Sequence, residues 1–415
     1  MLQTLSRLAG LAGLARRGAP WVLALGLLAT AGVQAHRPSL PEPGWQKIDN
    51  PGPVTVDGRT YTATCSGYPG TDARFAFWVR EGRSRNTMVF FEGGGACWDG
   101  LTCSFPIAGL PPAVPQFFVP QVAPGTDPAT FDGIFRTDRA DNPVRDWTMV
   151  YIPYCTGDLH AGSATRTYTS VGNPALGLPA GAPLTIEHRG FDNFMVVLDW
   201  MRRHLDRPQR LLVTGASAGG YGASLNFPWL ARAFPQAQMF VLADASQGVS
   251  TANWDRFGRS NWNLQFAPRA FGPDPAAVPS PDLLRVAARS HPRAKVAQFT
   301  TTFDAVQIGF YGVMRQFYGP GGDCPNLAVD WYRQMTAKLV EYDQRVPNFR
   351  YYLAAGQYHT LLRSPLFFEE ASAGVPFNRW LAQMLANRGG TSGQGGRWES
   401  VACPNCLVAL PCPTP

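Results

Sequence analysis

Residues 211–223 read LLVTGASAGGYGA, an apolar run that breaks into glycines and continues as a helical pattern. Leu211, Leu212 and Val213 suit a strand buried on both faces of a sheet. Gly215-Ala216-Ser217-Ala218-Gly219 then spells G-x-S-x-G between a predicted strand and a predicted helix, the context of a nucleophile elbow. A serine on so sharp a turn presents its hydroxyl outward. The residues two places to either side must then be nearly free of side chain to clear the strand and helix they join. The helix that begins here also aims backbone N–H groups at any negative charge developing beside Ser217. Two other readings compete. A dinucleotide-binding turn needs G-x-G-x-x-G, which Ser217 breaks, and a plain tight turn would leave Ser217 structural.

Working outward, candidate strands at 88–91, 148–153, 210–214, 238–242, 296–302 and 349–354 alternate with helical patterns near 191–204, 219–233, 281–290, 328–343 and 377–387. That alternation specifies an α/β fold of α/β-hydrolase type, with a mostly parallel central sheet, helices on both faces and long inserted loops. Residues 36–75, rich in Pro and Gly, are expected to cover one edge of the sheet. The stretches 104–145 and 250–277 are too long for plain connectors and are expected to line or cover a pocket. GGTSGQGG at 389–396 reads as a flexible linker.

The strand at 88–91 runs into Glu92-Gly93-Gly94-Gly95-Ala96-Cys97. Hydrolases of this architecture draw one oxyanion donor from the residue after the nucleophile and another from a Gly-rich loop after an early strand. Ala218 fits the first role, and Gly94 and Gly95 fit the second. Glu92 is expected to be a structural partner beside them. In this fold the chain order is Ser, then acid, then His. Of six histidines only His291 and His359 follow Ser217. His359 stands just past the last candidate strand, whereas His291 sits beside Pro292 and reads as a surface residue. Asp304 and Asp244 both end strands and could orient the imidazole. Asp304 is preferred, because the acid usually hangs from the last strand but one.

At the N-terminus, Arg7, Arg16 and Arg17 precede an apolar run at 21–31 and Val33-Gln34-Ala35, the layout of a cleavable export signal. The expected division is thus a signal peptide over 1–35, a catalytic domain over 36–388, and a linker with a Cys-containing tail over 389–415. The run is too short to anchor the chain in a bilayer. Losing the signal lowers the formal charge from +7 to about +4, and no Lys/Arg stripe suggests nucleic-acid binding. Eight cysteines, at 65, 97, 103, 155, 324, 403, 406 and 412, favour disulfides in an exported protein and leave the pairing open. Cys403-Pro404-Asn405-Cys406 has zinc-like spacing but lacks a second ligand pair, so a disulfide is expected there too.

The blocks FFEGGGACWDG (90–100), VYIPYCTGDLHAG (150–162), HRGFDNFMVVLDW (188–200), LLVTGASAGGYGA (211–223), VLADASQG (241–248) and FDAVQIGFYG (303–312), with the late His359, resemble the pectin acetylesterase and Notum family. The resemblance implies an α/β-hydrolase-like fold, secretion or export to a periplasm, and O-deacylation without metal or cofactor by Ser217, Asp304 and His359. The family's Asp followed three residues later by Gln is matched by Asp304 and Gln307, which strengthens Asp304 over Asp244. Where the Notum branch has Trp in its oxyanion loop this chain has Gly95, with Trp98 further on, so a fatty-acyl pocket does not carry over. The expected substrate is an acylated polysaccharide or glycan. The alternatives are a polyester or long-acyl ester cleaved by the same triad, with the aromatic stretch 254–271 binding an apolar chain, and a non-catalytic binding protein on the same fold.

Overall fold

The central strands identify themselves by being apolar along almost their whole length. Thr148–Ile152 is buried at every residue and Gln238–Asp244 at all but the first, as strands covered on both faces must be. The structure is a computed structural model and describes residues 44–107, 114–274, 277–386 and 398–412, so the expected signal peptide and the linker lie outside the described residues. In chain order the main strands are β1 (Trp45–Asp49), β2 (Ala76–Arg80), β3 (Asn86–Phe91), β4 (Thr148–Ile152), β5 (Ala164–Asn173), β6 (Leu178–His188), β7 (Arg210–Ala216), β8 (Gln238–Asp244), β9 (Lys295–Thr301), β10 (Phe349–Ala354) and β11 (Val401–Ala402). Nine of them make one sheet in the order β1-β2-β4-β3-β7-β8-β9-β10-β11. The β1/β2 and β2/β4 pairs are antiparallel, and every pair from β4 to β11 is parallel.

The main helices are α1 (Gly190–His204), α2 (Ala218–Ala233), α3 (Leu283–Ser290), α4 (Ala305–Tyr318), α5 (Leu327–Arg345) and α6 (Phe377–Leu385). Side chains of successive strand residues point to opposite faces. Along β7, Leu211 and Val213 accordingly join a core with Phe194, Val197 and Leu225, while Leu212 joins a second core with Phe90, Phe299 and Trp380. Full burial of a side chain such as Val213 contributes about 1.5–3 kcal/mol. This is the α/β-hydrolase-like architecture read from the alternation. The 36–75 stretch supplies the edge strand β1, as expected.

Strand order reverses between β3 and β7, so the loops leaving their C-terminal ends diverge and open a crevice there. Those loops carry Gly93 to Gly95 and Ser217. The β5/β6 hairpin was not expected; about half of its residues are exposed and few are buried, so it lacks the apolar runs that mark the central strands.

All eight cysteines are paired, as Cys65–Cys155, Cys97–Cys103, Cys324–Cys412 and Cys403–Cys406. The C-x-x-C pair is thus a disulfide. The described part of the tail is built into the fold: β11 pairs with β10, Trp398 packs near Trp380, and Cys412 is tied to Cys324. Among the described residues no helix is long and apolar enough to cross a membrane.

Candidate active site

Ser217 links β7 to α2 and has φ 58° and ψ −124°, a conformation an L-residue adopts only under strain. The strain is held from several sides. The Ser217 N–H donates to the carbonyl of Asp244 at 2.8 Å, and the Ser217 carbonyl accepts from Gly220 N–H at 2.9 Å. Gly219 is compelled by close approach: a Cβ there would stand 1.9 Å from the carbonyl oxygen of Phe91. The small residues around Ser217 are therefore a packing requirement of the elbow.

Asp304 ends the loop after β9 and caps α4. Its carboxylate is fully buried, with Oδ1 accepting from the Val306 and Gln307 N–H groups at 3.1 and 3.0 Å and Oδ2 from the Gln307 side-chain amide at 2.8 Å. The helix N-terminus and the Gln307 amide fix the orientation of this carboxylate, which turns both oxygens toward the imidazole of His359. His359 stands five residues past the end of β10. Its loop is zipped to the Asp304 loop: Phe303 N–H donates to Gly356, Ala305 N–H to Gln357, and the Thr301 hydroxyl to the Tyr358 carbonyl.

These loops bring three predicted residues into a line. His359 Nε2 is 2.7 Å from Ser217 Oγ, and His359 Nδ1 is 2.8 Å from each carboxylate oxygen of Asp304. An imidazole held this way carries its proton on Nδ1, leaving Nε2 to take one from the serine. The other two polar candidates lie elsewhere. Asp244 faces the backbone of the histidine loop, with Oδ2 accepting from the Leu361 and Leu362 N–H groups at 3.0 Å each and Oδ1 without a partner. Full burial pushes its carboxyl up to about 7. His291 is half-buried rather than on the open surface, packed against Phe227 and held low by burial.

The Gly-rich loop after β3 folds over Ser217. Gly95 has φ +70° and forms a bridge with Phe118, and a Cβ on it would lie 1.9 Å from the Phe117 carbonyl. That bridge consumes the Gly94 carbonyl and the Ala96 N–H. The N–H groups of Gly94, Gly95 and Ala218 have no acceptor among the described residues. Gly95 and Ala218 line the cavity beside Ser217 and His359, with Gly94 one residue behind. Glu92 is a structural partner, as expected. It accepts from Gly93 N–H at 2.9 Å and from Tyr151 OH at 3.0 Å, and it forms an ion pair with Arg363.

The cavity is walled by apolar residues to which sequence reading assigned no individual role, except that Trp254 belongs to the aromatic stretch 254–271 expected to bind an apolar chain. Trp98, Leu159, Trp254, Phe310 and Met314 wall it, with Trp98 and Trp254 edge to face at 5.4 Å. Trp254 comes from the 250–277 insertion, and Phe117 and Phe118 come from the 104–145 insertion, so both insertions reach the site. Gln247 was also missed: its side-chain oxygen accepts from the Gln307 amide at 2.8 Å, and its backbone N–H donates back to Gln307 at 2.9 Å. Its place in VLADASQG, just past β8, was the available signal. The one described cluster with metal-ligand geometry is Cys97, Cys103 and His188. Its sulfurs are joined in a disulfide, and its imidazole is engaged by the Thr156 carbonyl and Tyr168 OH.

The model of the pectinacetylesterase family matches residues 63–256. The palmitoleoyl-protein carboxylesterase notum1a of Danio rerio is 28% identical over 173 residues, covering 40% of this chain and 29% of that protein. The palmitoleoyl-protein carboxylesterase NOTUM of Homo sapiens is 28% identical over 182 residues, covering 41% of this chain and 32% of its own length. The inactive palmitoleoyl-protein carboxylesterase notum1b of Danio rerio is 30% identical over 110 residues, covering 26% of this chain and 70% of that protein. The chain spans about a third of the length of the first of these relatives.

Proposed function

This chain belongs to the pectinacetylesterase and Notum family, and from that premise we propose that it is an exported serine carboxylesterase that removes a short acyl group, such as acetyl, from a polysaccharide or glycan. The observation that carries the reading is the unbroken line from Ser217 Oγ through His359 to the buried carboxylate of Asp304.

In the proposed reaction His359 Nε2 takes the Ser217 proton as Oγ attacks the ester carbonyl. Asp304 holds the imidazole and stabilises the imidazolium that forms. The carbonyl oxygen, now negative, turns toward the N–H groups of Gly95 and Ala218, with Gly94 behind them; fixed donors of this kind act on the transition state at no reorganisation cost. Collapse expels the sugar hydroxyl, protonated by His359. Water then repeats the sequence on the acyl-enzyme and releases the acid. Four disulfides suit a secreted or periplasmic enzyme.

The cavity beside Ser217 is small, about 60 Å³. A pocket of that size, walled by Trp98, Trp254 and Phe310, suits a short acyl group such as acetyl. A long-acyl or polyester substrate keeps one observation in its favour: Val306 and Phe317 on α4 are exposed apolar residues on the helix that flanks the cavity.

The test is hydrolysis of p-nitrophenyl acetate, butyrate and palmitate alongside acid release from acetylated polysaccharides. The expected order is acetate above butyrate far above palmitate, with Ser217→Ala inactive and folded. Palmitate as the preferred ester would replace the glycan reading with a lipase-like one. A folded wild-type chain inert on every ester would make it a binding protein.

A further inference from the structure

The two sides of the oxyanion hole come from separate stretches of chain. Gly94 and Gly95 belong to the loop after β3, and Ala218 opens α2. Their N–H groups can meet one substrate oxygen only if loop and helix keep a fixed spacing, because a hydrogen bond weakens steeply as its geometry drifts. The loop that leaves β4 bonds to both.

Within that loop Leu159 and His160 adopt left-handed backbone, with φ 58° and 59°. Two consecutive non-glycine residues in this region are strained, and such strain persists only where the surroundings impose it. Leu159 lines the cavity, and its N–H donates to Tyr154 OH at 2.8 Å. His160 is buried behind it. The ring packs edge to face on Phe91, and so close to α2 that a Cβ on Gly222 would stand 2.8 Å from it. Burial pushes the imidazole down to about 4, so at neutral pH it is uncharged and carries a single ring N–H. The Glu92 carbonyl, at the root of the oxyanion loop, lies 2.9 Å from Nε2 and can only accept, which places that N–H on Nε2. The His160 carbonyl accepts from the side-chain amide of Asn226 on α2 at 2.9 Å. At the far end of the oxyanion loop, Cys97 N–H donates to the Gly157 carbonyl at 2.9 Å.

We propose that His160 is a positioning residue for ester hydrolysis, which sets the spacing between the Gly94 and Gly95 donors and the Ala218 donor through its ring on one side and its carbonyl on the other. The helix transmits the second bond, since Asn226 and Ala218 lie on the same rigid element. The two bonds act in series, so breaking either releases the loop from the helix. The inference rests on the esterase reading and on these oxyanion donors.

The test is steady-state kinetics of the full chain on p-nitrophenyl acetate, together with inhibition by an alkyl boronic acid, whose tetrahedral adduct on Ser217 sets an oxygen in the hole. In His160→Asn the new side chain tolerates left-handed backbone but is too short to reach Glu92, whereas in His160→Gln it is long enough and keeps a donor. His160→Asn and Asn226→Leu are each expected to lower kcat about 10- to 100-fold, with KM within about twofold, and to weaken the boronic acid in proportion. His160→Gln is expected to recover most of that loss. Bonds in series make the effects non-additive, so the double variant His160→Asn/Asn226→Leu should fall within about threefold of the poorer single one. A loss confined to KM, an unchanged boronic acid affinity or losses that multiply in the double variant would each overturn the inference. Asn226→Leu leaves the ring in place and decides alone if His160→Asn fails to fold. Ser217→Ala separates the two readings: if it stays active the esterase reading falls, whereas inactive Ser217→Ala beside fully active His160→Asn and Asn226→Leu loses only this one.

Discussion

Replacing Asp244 with Asn should change the pH dependence of stability by a predictable amount. Burial raises the Asp244 carboxyl from its ordinary 3.8 to about 7, against the opposing pull of the Leu361 and Leu362 N–H groups. A group whose folded pKa is raised favours the folded state while protonated, and that contribution is fully present below the unfolded value. It is lost as pH climbs through the folded one. One pKa unit corresponds to about 1.4 kcal/mol, so ionising Asp244 in the fold costs on the order of 4 kcal/mol between pH 4 and pH 8. Asn cannot ionise. Its carbonyl oxygen can still accept from Leu361 and Leu362, and its NH₂ falls where Oδ1 has no partner. That unsatisfied amide costs about 1–3 kcal/mol at every pH. Asp244→Asn should therefore be level with or less stable than wild type near pH 4 and more stable near pH 8. Urea unfolding at half-unit steps of pH reads this directly, since the difference between the two proteins cancels every other titration. A difference that stays flat from pH 4 to pH 8 refutes the reasoning.

Other expectations follow from the same geometry. Asp304→Asn should keep the fold and lower kcat by about 10⁴, because the amide turns a donor toward His359 Nδ1 and favours the wrong tautomer; steady-state kinetics on p-nitrophenyl acetate checks it, and a loss under tenfold would remove Asp304 from the line. Gly95→Ala must displace the loop to clear the Phe117 carbonyl, and loss of its oxyanion donor should cost about 10²–10³ in kcat with KM little changed. Replacing Cys65 and Cys155 together by Ala releases a crosslink with a sequence separation of 90 and should lower stability by about 2–4 kcal/mol by denaturant unfolding.

The chain is easiest to read where local pattern and tertiary role coincide. Leu211 to Val213 must be apolar to lie within the sheet, and Gly219 must be glycine to pass Phe91, so strand, elbow and nucleophile show in the letters. His359 and Asp304 were reachable through chain order, because β9 and β10 are the last two long strands of the sheet. Nothing local marks Trp98, and Trp254 is marked only by the aromatic character of the 254–271 stretch. They are far apart in sequence, and their meeting at 5.4 Å depends on how an insertion folds back over the β3 loop. The β5/β6 hairpin was missed for the opposite reason: an exposed two-stranded ribbon needs few apolar residues.

The least legible feature is how the three loops of the site are held together. Asp244 binds Ser217 through its carbonyl and the histidine loop through its carboxylate, so one residue at the end of β8 spaces nucleophile from base. Glu92 binds the first amide of the oxyanion loop and pairs with Arg363, four residues beyond His359, which in turn lies over the Phe131 ring at 3.7 Å. Asp304 makes the third tie from β9. Each tie joins the histidine loop to a different strand, and the strands are fixed to one another by the sheet. The position of His359 is therefore over-determined before any substrate arrives. This explains how an unfavourable backbone conformation at Ser217 can persist, since relaxing it would break the Ser217 N–H bond to the carbonyl of Asp244, the residue whose carboxylate holds the histidine loop.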